Sequence, residues 1–143
     1  MRVHLAIVGL FVSSISTAGP EVAQMLKSLQ GTWKCKGTFD AVITAKAELD
    51  GAWIHESMTS PKLKLETYTT FDRQWRRLVI ASDGTYVAAT SDGMKDMKMD
   101  YTSESWREHV DASDLRRGLR LVAERSADKG KTWTAVYELT CRR

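Results

Sequence analysis

The stretch Gly31-Thr32-Trp33-Lys34-Cys35 decides the fold that we predict, because it opens the first strand and holds one of only two cysteines in the chain. The second cysteine, Cys141, is the third residue from the end of the sequence. Short strand-like runs separated by turns lie between the two cysteines, as in an all-β meander. A bond between the first and last strands of a meander would close the sheet on itself and remove both edges. The sequence therefore predicts a closed β-barrel.

The first 18 residues have the pattern of a signal peptide. A short basic start, Met1-Arg2-Val3-His4, precedes an apolar run over residues 5–12, and Ser16-Thr17-Ala18 provides the small residues that a signal peptidase reads. We expect cleavage after Ala18, which leaves residues 19–143 as one domain. The apolar run is far shorter than the roughly 20 residues that span a bilayer, so no membrane span is expected after cleavage. The predicted location is therefore exported, either periplasmic or extracellular.

Compartment and charge narrow the possible partners. Two cysteines in an exported chain most often form a disulfide, here Cys35 with Cys141, and the alternative is two buried free thiols. The 143 residues carry a formal net charge of +3, and no run of Lys or Arg alternates with aromatic residues. Nucleic acid is therefore not an expected partner. We expect a monomer.

A short helix precedes the barrel. Pro20 and Glu21 suit the first turn of a helix that continues to Leu29, with its apolar residues on one side. Such a helix could plug one mouth of a barrel. In the strand that follows, Trp33 and Cys35 alternate with polar residues, so both are predicted to face the core.

Turn signals predict which other side chains face inward. If Asp83-Gly84 and Asp92-Gly93 are two-residue hairpin loops, the pairing directs one face of three successive strands into the barrel and leaves Val87 on the opposite face. The residues predicted to face inward are Val79, Ala81, Tyr86, Ala88, Met97, Met99 and Tyr101. A further turn at Ser103-Glu104 directs Trp106, Glu108 and Val110 inward. The resulting pocket candidates are Tyr86, Met97, Met99, Tyr101, Trp106 and Glu108. Methionine adapts to irregular apolar ligands, while Tyr and Trp add polar groups. The alternative is that these side chains simply fill the barrel.

Two carboxylates and two histidines are the remaining candidates for chemistry. A hairpin turn at Asp50-Gly51 directs Ile54, Glu56 and Met58 inward, and the turn at Ser103-Glu104 directs Glu108 inward. Inside the barrel each carboxylate would be paired, hydrated or protonated. Either could orient a ligand or act as a base, and the alternatives are a position at the rim or an ion pair with Arg77 or Arg125. His55 and His109 are predicted to face outward. No Ser-His-Asp set, glycine-rich phosphate loop or metal-binding cluster is present, so we predict no catalytic residue, metal or cofactor.

The segment Ser126-Ala127-Asp128-Lys129-Gly130-Lys131-Thr132-Trp133 resembles the Asp-box, a hairpin found in sialidase propellers. All five specified positions match. Asp caps turn amides, Gly takes a positive φ, and Trp packs under the hairpin. A propeller requires several blades and many more residues, so the motif predicts a turn and not a sialidase.

Gly31-Thr32-Trp33, after a short helix and at the start of the first strand, resembles the Gly-x-Trp signature of lipocalins and their calycin relatives. The chain is also similar to an uncharacterised family of exported bacterial lipocalin-like proteins. The resemblance implies an all-β, closed antiparallel up-and-down barrel of about ten strands with a short N-terminal helix. It further implies structural roles for Gly31 and Trp33, with Arg142 or Arg143 packing over the indole ring. Nitrobindin-like calycins hold haem through a barrel histidine.

The function predicted from the sequence is non-catalytic binding of a small apolar or amphipathic molecule by an exported lipocalin-like barrel. A structural or interaction protein with a filled barrel is the first alternative. The second is nitrobindin-like haem binding through His55 or His109, or an enzyme that uses an inward carboxylate.

Overall fold

The computed structural model describes residues 19–143, so the predicted signal peptide lies outside the described residues. One helix and eleven antiparallel strands make up the fold. They are α1 (Pro20–Leu29), β1 (Gly31–Gly37), β2 (Ala41–Glu48), β3 (Trp53–Thr59), β4 (Lys64–Asp72), β5 (Gln74–Ala81), β6 (Tyr86–Ser91), β7 (Met94–Lys95), β8 (Lys98–Thr102), β9 (Trp106–Asp111), β10 (Leu119–Arg125) and β11 (Thr134–Arg142).

The sheet closes on itself. Each strand from β1 to β6 pairs with its neighbour, β1 also pairs with β11, and the ladder continues from β11 through β10 and β9 to β8. One residue pair, Thr90 of β6 with Thr102 of β8, completes the circle. The two-residue strand β7 pairs only with β8 and stands outside this ring. The predicted closed antiparallel barrel of about ten strands with a short N-terminal helix is therefore confirmed.

Helix α1 covers one mouth of the barrel. Its apolar stripe, Val22, Met25 and Leu29, is buried. The indole Nε1 of Trp33, at the start of β1, donates a hydrogen bond to the Leu29 carbonyl oxygen at 2.8 Å. We call this mouth the helix end and the opposite mouth the open end.

Arg143, and not Arg142, packs over Trp33. The guanidinium carbon of Arg143 lies 4.5 Å from the centre of the Trp33 indole ring, and its Nη2 donates to the carbonyl oxygens of Ser28 and Gln30 at 2.7 and 3.0 Å. Arg142 instead donates to the Arg117 carbonyl oxygen. Alternate residues of a strand face opposite sides. Because Cys141 faces the core, Arg142 faces outward and Arg143 returns to the inner side.

The two cysteines form the predicted disulfide. Cys35 of β1 and Cys141 of β11 are direct partners in the ladder between the first and last strands, and their sulfur atoms are bonded. Both residues are buried. The bond therefore joins the two strands that bring the ends of the barrel sequence together.

The predicted facing of β6 is wrong. The loop after β5 has three residues, 82–84, because the Ala81 amide donates to the Thr85 carbonyl oxygen and Gly84 takes a φ of 86°. A loop with one more residue than predicted shifts the register by one and reverses every side chain. Tyr86 is consequently 74% exposed, while Val87 and Ala89 face the interior.

Met97 is not an inward-facing strand residue either. Asp96 and Met97 form the tight turn between β7 and β8, with φ angles of 53° and 60°, the geometry of a type I′ hairpin. The turn was predicted at Asp92-Gly93, where the chain instead continues into β7. Met99 and Tyr101 nevertheless face inward, because pairing with β9 fixes the facing of β8.

The Asp-box forms the connection between β10 and β11. Asp128 accepts hydrogen bonds from the Thr132 amide and hydroxyl at 2.8 and 2.6 Å, and from the Ser126 hydroxyl at 2.7 Å. These bonds, chiefly those from Thr132, lower the pKa of Asp128 to about 2. Gly130 has a φ of 82°, and its carbonyl oxygen accepts from the Trp133 indole. The motif is a rigid turn at the open end.

Candidate functional site

A buried charged cluster occupies the middle of the barrel. Nε and Nη2 of Arg77 donate to the two carboxylate oxygens of Glu108 at 2.7 and 3.2 Å, a bidentate arrangement. Nη1 of the same guanidinium donates to Glu56 at 2.6 Å. All three side chains are at most 7% exposed. The inward direction of Glu56 and Glu108 was predicted, and Arg77 was one of the partners considered for them.

Polar side chains complete the cluster. Arg77 Nη1 also donates to the Thr69 hydroxyl at 2.7 Å, and the Tyr137 hydroxyl donates to Glu108 at 2.8 Å. Burial alone would lower the pKa of Arg77, but the charges of Glu108 and Glu56 raise that pKa well above its ordinary value. Burial raises the pKa of Tyr137 well above its ordinary value, and the neighbouring Glu108 carboxylate adds to this effect. The guanidinium and the phenol therefore stay protonated at neutral pH.

The Arg77 guanidinium lies over the ring of Tyr101. The centre of this ring is 5.3 Å from the Arg77 guanidinium carbon, and the Tyr101 hydroxyl donates to the Met99 sulfur at 3.3 Å. Tyr101 and Met99 are each at most 1% exposed. These side chains fill the middle of the barrel together with the charged cluster, so a ligand pocket must lie elsewhere.

Such a pocket is found at the open end. It has a volume of about 150 Å³. Its apolar walls are Leu63, Leu65, Val79, Ala81, Val87 and Val136. The remaining lining residues are Asp83, Thr85, Ser105, Trp106, Arg125 and Ser126. Val79 and Trp106 each lie two residues from a member of the charged cluster, so the cluster forms the next inward-facing layer, about 7 Å deeper.

Trp106 supplies a hydrogen-bond donor that the protein leaves without an acceptor. Among the side chains of residues 19–143, its Nε1 is the fully buried nitrogen or oxygen atom that has no hydrogen-bond partner. The residue is 6% exposed, and its ring packs edge-to-face on Tyr137 with the ring centres 6.2 Å apart. Buried indole N–H groups usually find an acceptor. Because this nitrogen is fully buried, the adjoining pocket does not reach it.

The rim of the pocket is polar and exposed. Asp83 accepts a hydrogen bond from the Thr85 amide at 2.9 Å. Bonds from Thr85 and, to a smaller extent, the charge of Arg125 lower the pKa of Asp83. The rim therefore carries both charge signs, whereas the walls below it are apolar.

The pocket candidates predicted from the sequence separate into three groups. Trp106 alone of them lines the pocket. Met99, Tyr101 and Glu108 are interior but belong to the filled middle. Tyr86 lies on the outer face, and Met97 is a half-buried turn residue.

Sequence reasoning missed most of the actual wall. Val79 and Ala81 were predicted to face inward but were not assigned to a site, and Val87 was predicted to face outward through the wrong register of β6. The apolar alternation at the start of β4 and the end of β5, next to polar turns, was the available signal for an open mouth. It was not used.

Both histidines of the described region lie outside the barrel, as their predicted facing indicated. His55 is hydrogen-bonded to Glu66 at 2.6 Å and stacks on Tyr68 with the ring centres 4.5 Å apart. His109 is hydrogen-bonded to Asp100 at 2.7 Å. Neither imidazole reaches the interior.

No protein-family model matches the chain, and a search of curated proteins finds no significant match. In residues 19–143, no group of three or more His, Cys, Asp or Glu side chains is placed to hold a metal ion. Within residues 19–143, the single helix α1, at ten residues, is not long enough to cross a bilayer.

Proposed function

We propose that this protein is an exported, lipocalin-like binding protein that holds a small apolar or amphipathic molecule at the open end of its barrel without transforming it. The observation that carries the proposal is the pocket of about 150 Å³ with apolar walls and a polar rim. Concave apolar sites with few polar groups are the usual form of small-molecule sites, and the mouths of β-barrels are among their usual places.

Two further observations support the class and the compartment. The Gly31-Thr32-Trp33 signature, the basic residue over the indole and the helix at one mouth agree with what the lipocalin-like resemblance implies. A disulfide between the first and last strands persists in oxidising compartments, which supports export to the periplasm or the extracellular space.

The alternative of a structural or interaction protein is favoured by one specific observation. Arg77, its two carboxylates, Tyr101 and Tyr137 fill the middle of the barrel, so the pocket of about 150 Å³ is confined to the open end. If that space binds nothing, the barrel is a rigid scaffold. Ligand binding therefore decides between the two functions.

The haem and enzyme alternatives rank lower. His55 and His109 are bonded to carboxylates on the outer face, where neither can serve as an axial ligand inside the barrel. Glu56 and Glu108 are paired with Arg77, and Glu108 accepts a further bond from Tyr137. A carboxylate held in this way is a poor general base.

Ethylbenzene tests the proposal, because one substituted ring suits a cavity of this size. We expect it to raise the melting temperature in proportion to its occupancy and to bind with about 1:1 stoichiometry in calorimetry. Val87→Trp would occupy the pocket, so we expect it to weaken binding at least about tenfold, equivalent to about 1.4 kcal/mol.

The matched control is Val42→Trp, a substitution at a 45% exposed position on the outer face of β2, which should leave the affinity unchanged. If neither ethylbenzene nor its polar analogue acetophenone binds the parent protein, the binding function is wrong and the scaffold alternative stands.

A further inference from the structure

Building on the proposed function, we infer that the amphipathic ligand is a short extended peptide segment, which adds as a strand to the free edge of β6 and places one apolar side chain in the open-end pocket. The inference rests on the unpaired backbone groups of β6, on their position beside the pocket and on the size of that pocket. A peptide suits all three, because its own backbone repeats donors and acceptors at the spacing of a strand.

The first half of β6 has no partner strand on the side away from β5. β8 reaches β6 through Thr102 alone, which is also the last residue of β8. The turn that follows bonds to other strands. The Ser103 amide donates to the Trp106 carbonyl oxygen, and the Ser105 carbonyl oxygen accepts from the Ser126 amide. The first half of β6 therefore borders a gap in the ladder at the open end.

Tyr86 and Ala88 present backbone groups to this gap. The Ala81 amide donates to the Thr85 carbonyl oxygen at 2.8 Å, which fixes the alternation of hydrogen-bonded pairs between β5 and β6. Val87 therefore bonds toward β5, whereas the amide and carbonyl groups of Tyr86 and Ala88 point away from it. In the part of the chain that the structure describes, no strand, turn or side chain bonds to these four groups. Both residues are exposed.

β6 also lacks the features that usually block such an edge. Unpaired strand edges are templates for further strands, and proteins protect them with lysine, proline or bulges. Residues 86–91 contain neither lysine nor proline, and the register of β6 with β5 is regular throughout. The edge is therefore suited to main-chain pairing with another segment.

The open-end pocket lies directly beside this edge. Val87, the residue between the two unpaired ones, lines the pocket, and Ser105 and Trp106 line it from across the gap. An antiparallel strand would continue the pattern of the neighbouring ladders. Its residue opposite Val87 would have a side chain on the same face, with the two Cβ atoms about 4.5–5.5 Å apart. That side chain enters the pocket, whose volume of about 150 Å³ accepts one phenyl ring.

The same geometry defines the sequence pattern of the peptide. The two peptide residues opposite Tyr86 and Ala88 exchange backbone hydrogen bonds with them and face the outer surface, so polar or β-branched side chains suit these positions. The residue between them is apolar, and its own amide points away from β6. The ligand is therefore an extended segment with an apolar residue between two polar ones.

A blocked peptide, acetyl-Ser-Thr-Phe-Thr-Ser-amide, tests the inference in solution. We expect saturating peptide to slow hydrogen exchange of the Tyr86 and Ala88 amides at least about fivefold, measured by NMR, because both amides become hydrogen-bonded. Ethylbenzene enters the same pocket without a backbone. It should leave the exchange of both amides unchanged.

Methylating single peptide nitrogens separates backbone pairing from binding of the side chain alone. N-methylation of either threonine removes a donor directed at β6, so we expect the affinity in calorimetry to fall at least about tenfold. N-methylation of the phenylalanine is the matched control, because that amide points away from β6, and it should leave the affinity within about threefold. Equal losses at all three nitrogens, or the reverse pattern, would overturn the inference.

Ala88→Pro removes the donor on the protein side. The ladder with β5 does not use the Ala88 amide, and proline is compatible with a strand edge whose N–H faces solvent. We expect this variant to bind the peptide at least about tenfold more weakly and to keep the wild-type affinity for ethylbenzene. Ala88→Ser keeps the amide and is the matched control, with unchanged binding of both probes. If Ala88→Pro does not fold, the N-methylated peptides and the wild-type amide exchange decide.

The outcomes separate this inference from the proposed function. Binding of ethylbenzene without binding of the peptide would overturn strand addition and leave the pocket's function in place. Peptide binding that leaves both amides unprotected and tolerates threonine N-methylation would do the same. Absence of binding by both probes would overturn the inference and the proposed function together.

Discussion

At the scale of single residues, Arg77 is the side chain on which the interior depends. It contributes one positive charge against two carboxylates that are nearly free of solvent. Moving such groups out of water costs several kcal/mol for each ion, and their mutual attraction with complete hydrogen bonding must offset this cost. The bidentate bond to Glu108 and the bond to Glu56 provide that compensation.

Arg77→Met should lower the free energy of unfolding by about 3–5 kcal/mol in urea titrations, because both carboxylates would remain buried without a cation. The matched control is Arg76→Met. Arg76 is the next residue on β5 but faces outward, with a weak ion pair to Asp72 at 3.9 Å. Arg76→Met should lower the free energy of unfolding by less than about 1 kcal/mol. Equal losses from both variants would contradict the central role of Arg77.

The two interior phenols predict a pH dependence. Burial raises the pKa of Tyr101 and of Tyr137 above the ordinary value, so folding favours the protonated form of each. Their contribution to stability is fully present below the unfolded pKa of about 10 and is lost as the pH rises toward the folded values. At about pH 11, unfolding in urea should increase the absorbance by the amount expected for the ionisation of two tyrosines. In Tyr101→Phe the increase should correspond to one tyrosine. No increase on unfolding would mean that both phenols already ionise in the folded protein.

At the scale of single elements, the alternation of apolar and polar residues predicted which side of a strand faces the interior wherever the predicted length of the preceding loop was correct. Ile54, Glu56 and Met58 face inward because Glu48 pairs with Trp53, as a turn centred on Asp50-Gly51 requires. The same reasoning failed at β6. A sequence containing Asp-Gly is compatible with loops of two or three residues, and one residue of difference exchanges the two faces of the strand.

Adjacent alanines of β6 test its facing. Ala89 is buried at 2% exposure, whereas Ala88 is on the outer face. Ala89→Trp should therefore overpack the interior and lower the free energy of unfolding by about 1–3 kcal/mol or more. Ala88→Trp should change it by less than about 0.5 kcal/mol. The reverse order, measured by chemical denaturation, would support the facing that the two-residue loop predicts.

At the scale of the whole molecule, the barrel was predictable and the location of its pocket was not. The cysteine positions, the turns and the strand-like runs all indicated closure. The free space depends on side chains from distant strands: α1 covers one mouth, and Arg77 draws Glu56 and Glu108 into the middle. The missing acceptor of Trp106 is also a property of the assembled interior, so alternation could indicate only that the residue faces inward.

The disulfide should be a major part of global stability. It links residues 106 positions apart, and restricting an unfolded chain over such a loop stabilises the fold by about 4–5 kcal/mol on the chain-entropy model. Replacing Cys35 and Cys141 together with Ala should lower the free energy of unfolding by about this amount in guanidinium titrations. A double variant within about 1 kcal/mol of the wild type would show that the loop contributes little.

The bond between Cys35 and Cys141 also turns most of the sequence into a covalent ring. A protease that cuts any one exposed loop between these residues opens the ring but releases no fragment. Because both cysteines are buried, a reductant reaches the bond only when the structure opens. In a protease-rich environment, a singly nicked copy would therefore remain one molecule, with its remaining strand pairings held in register.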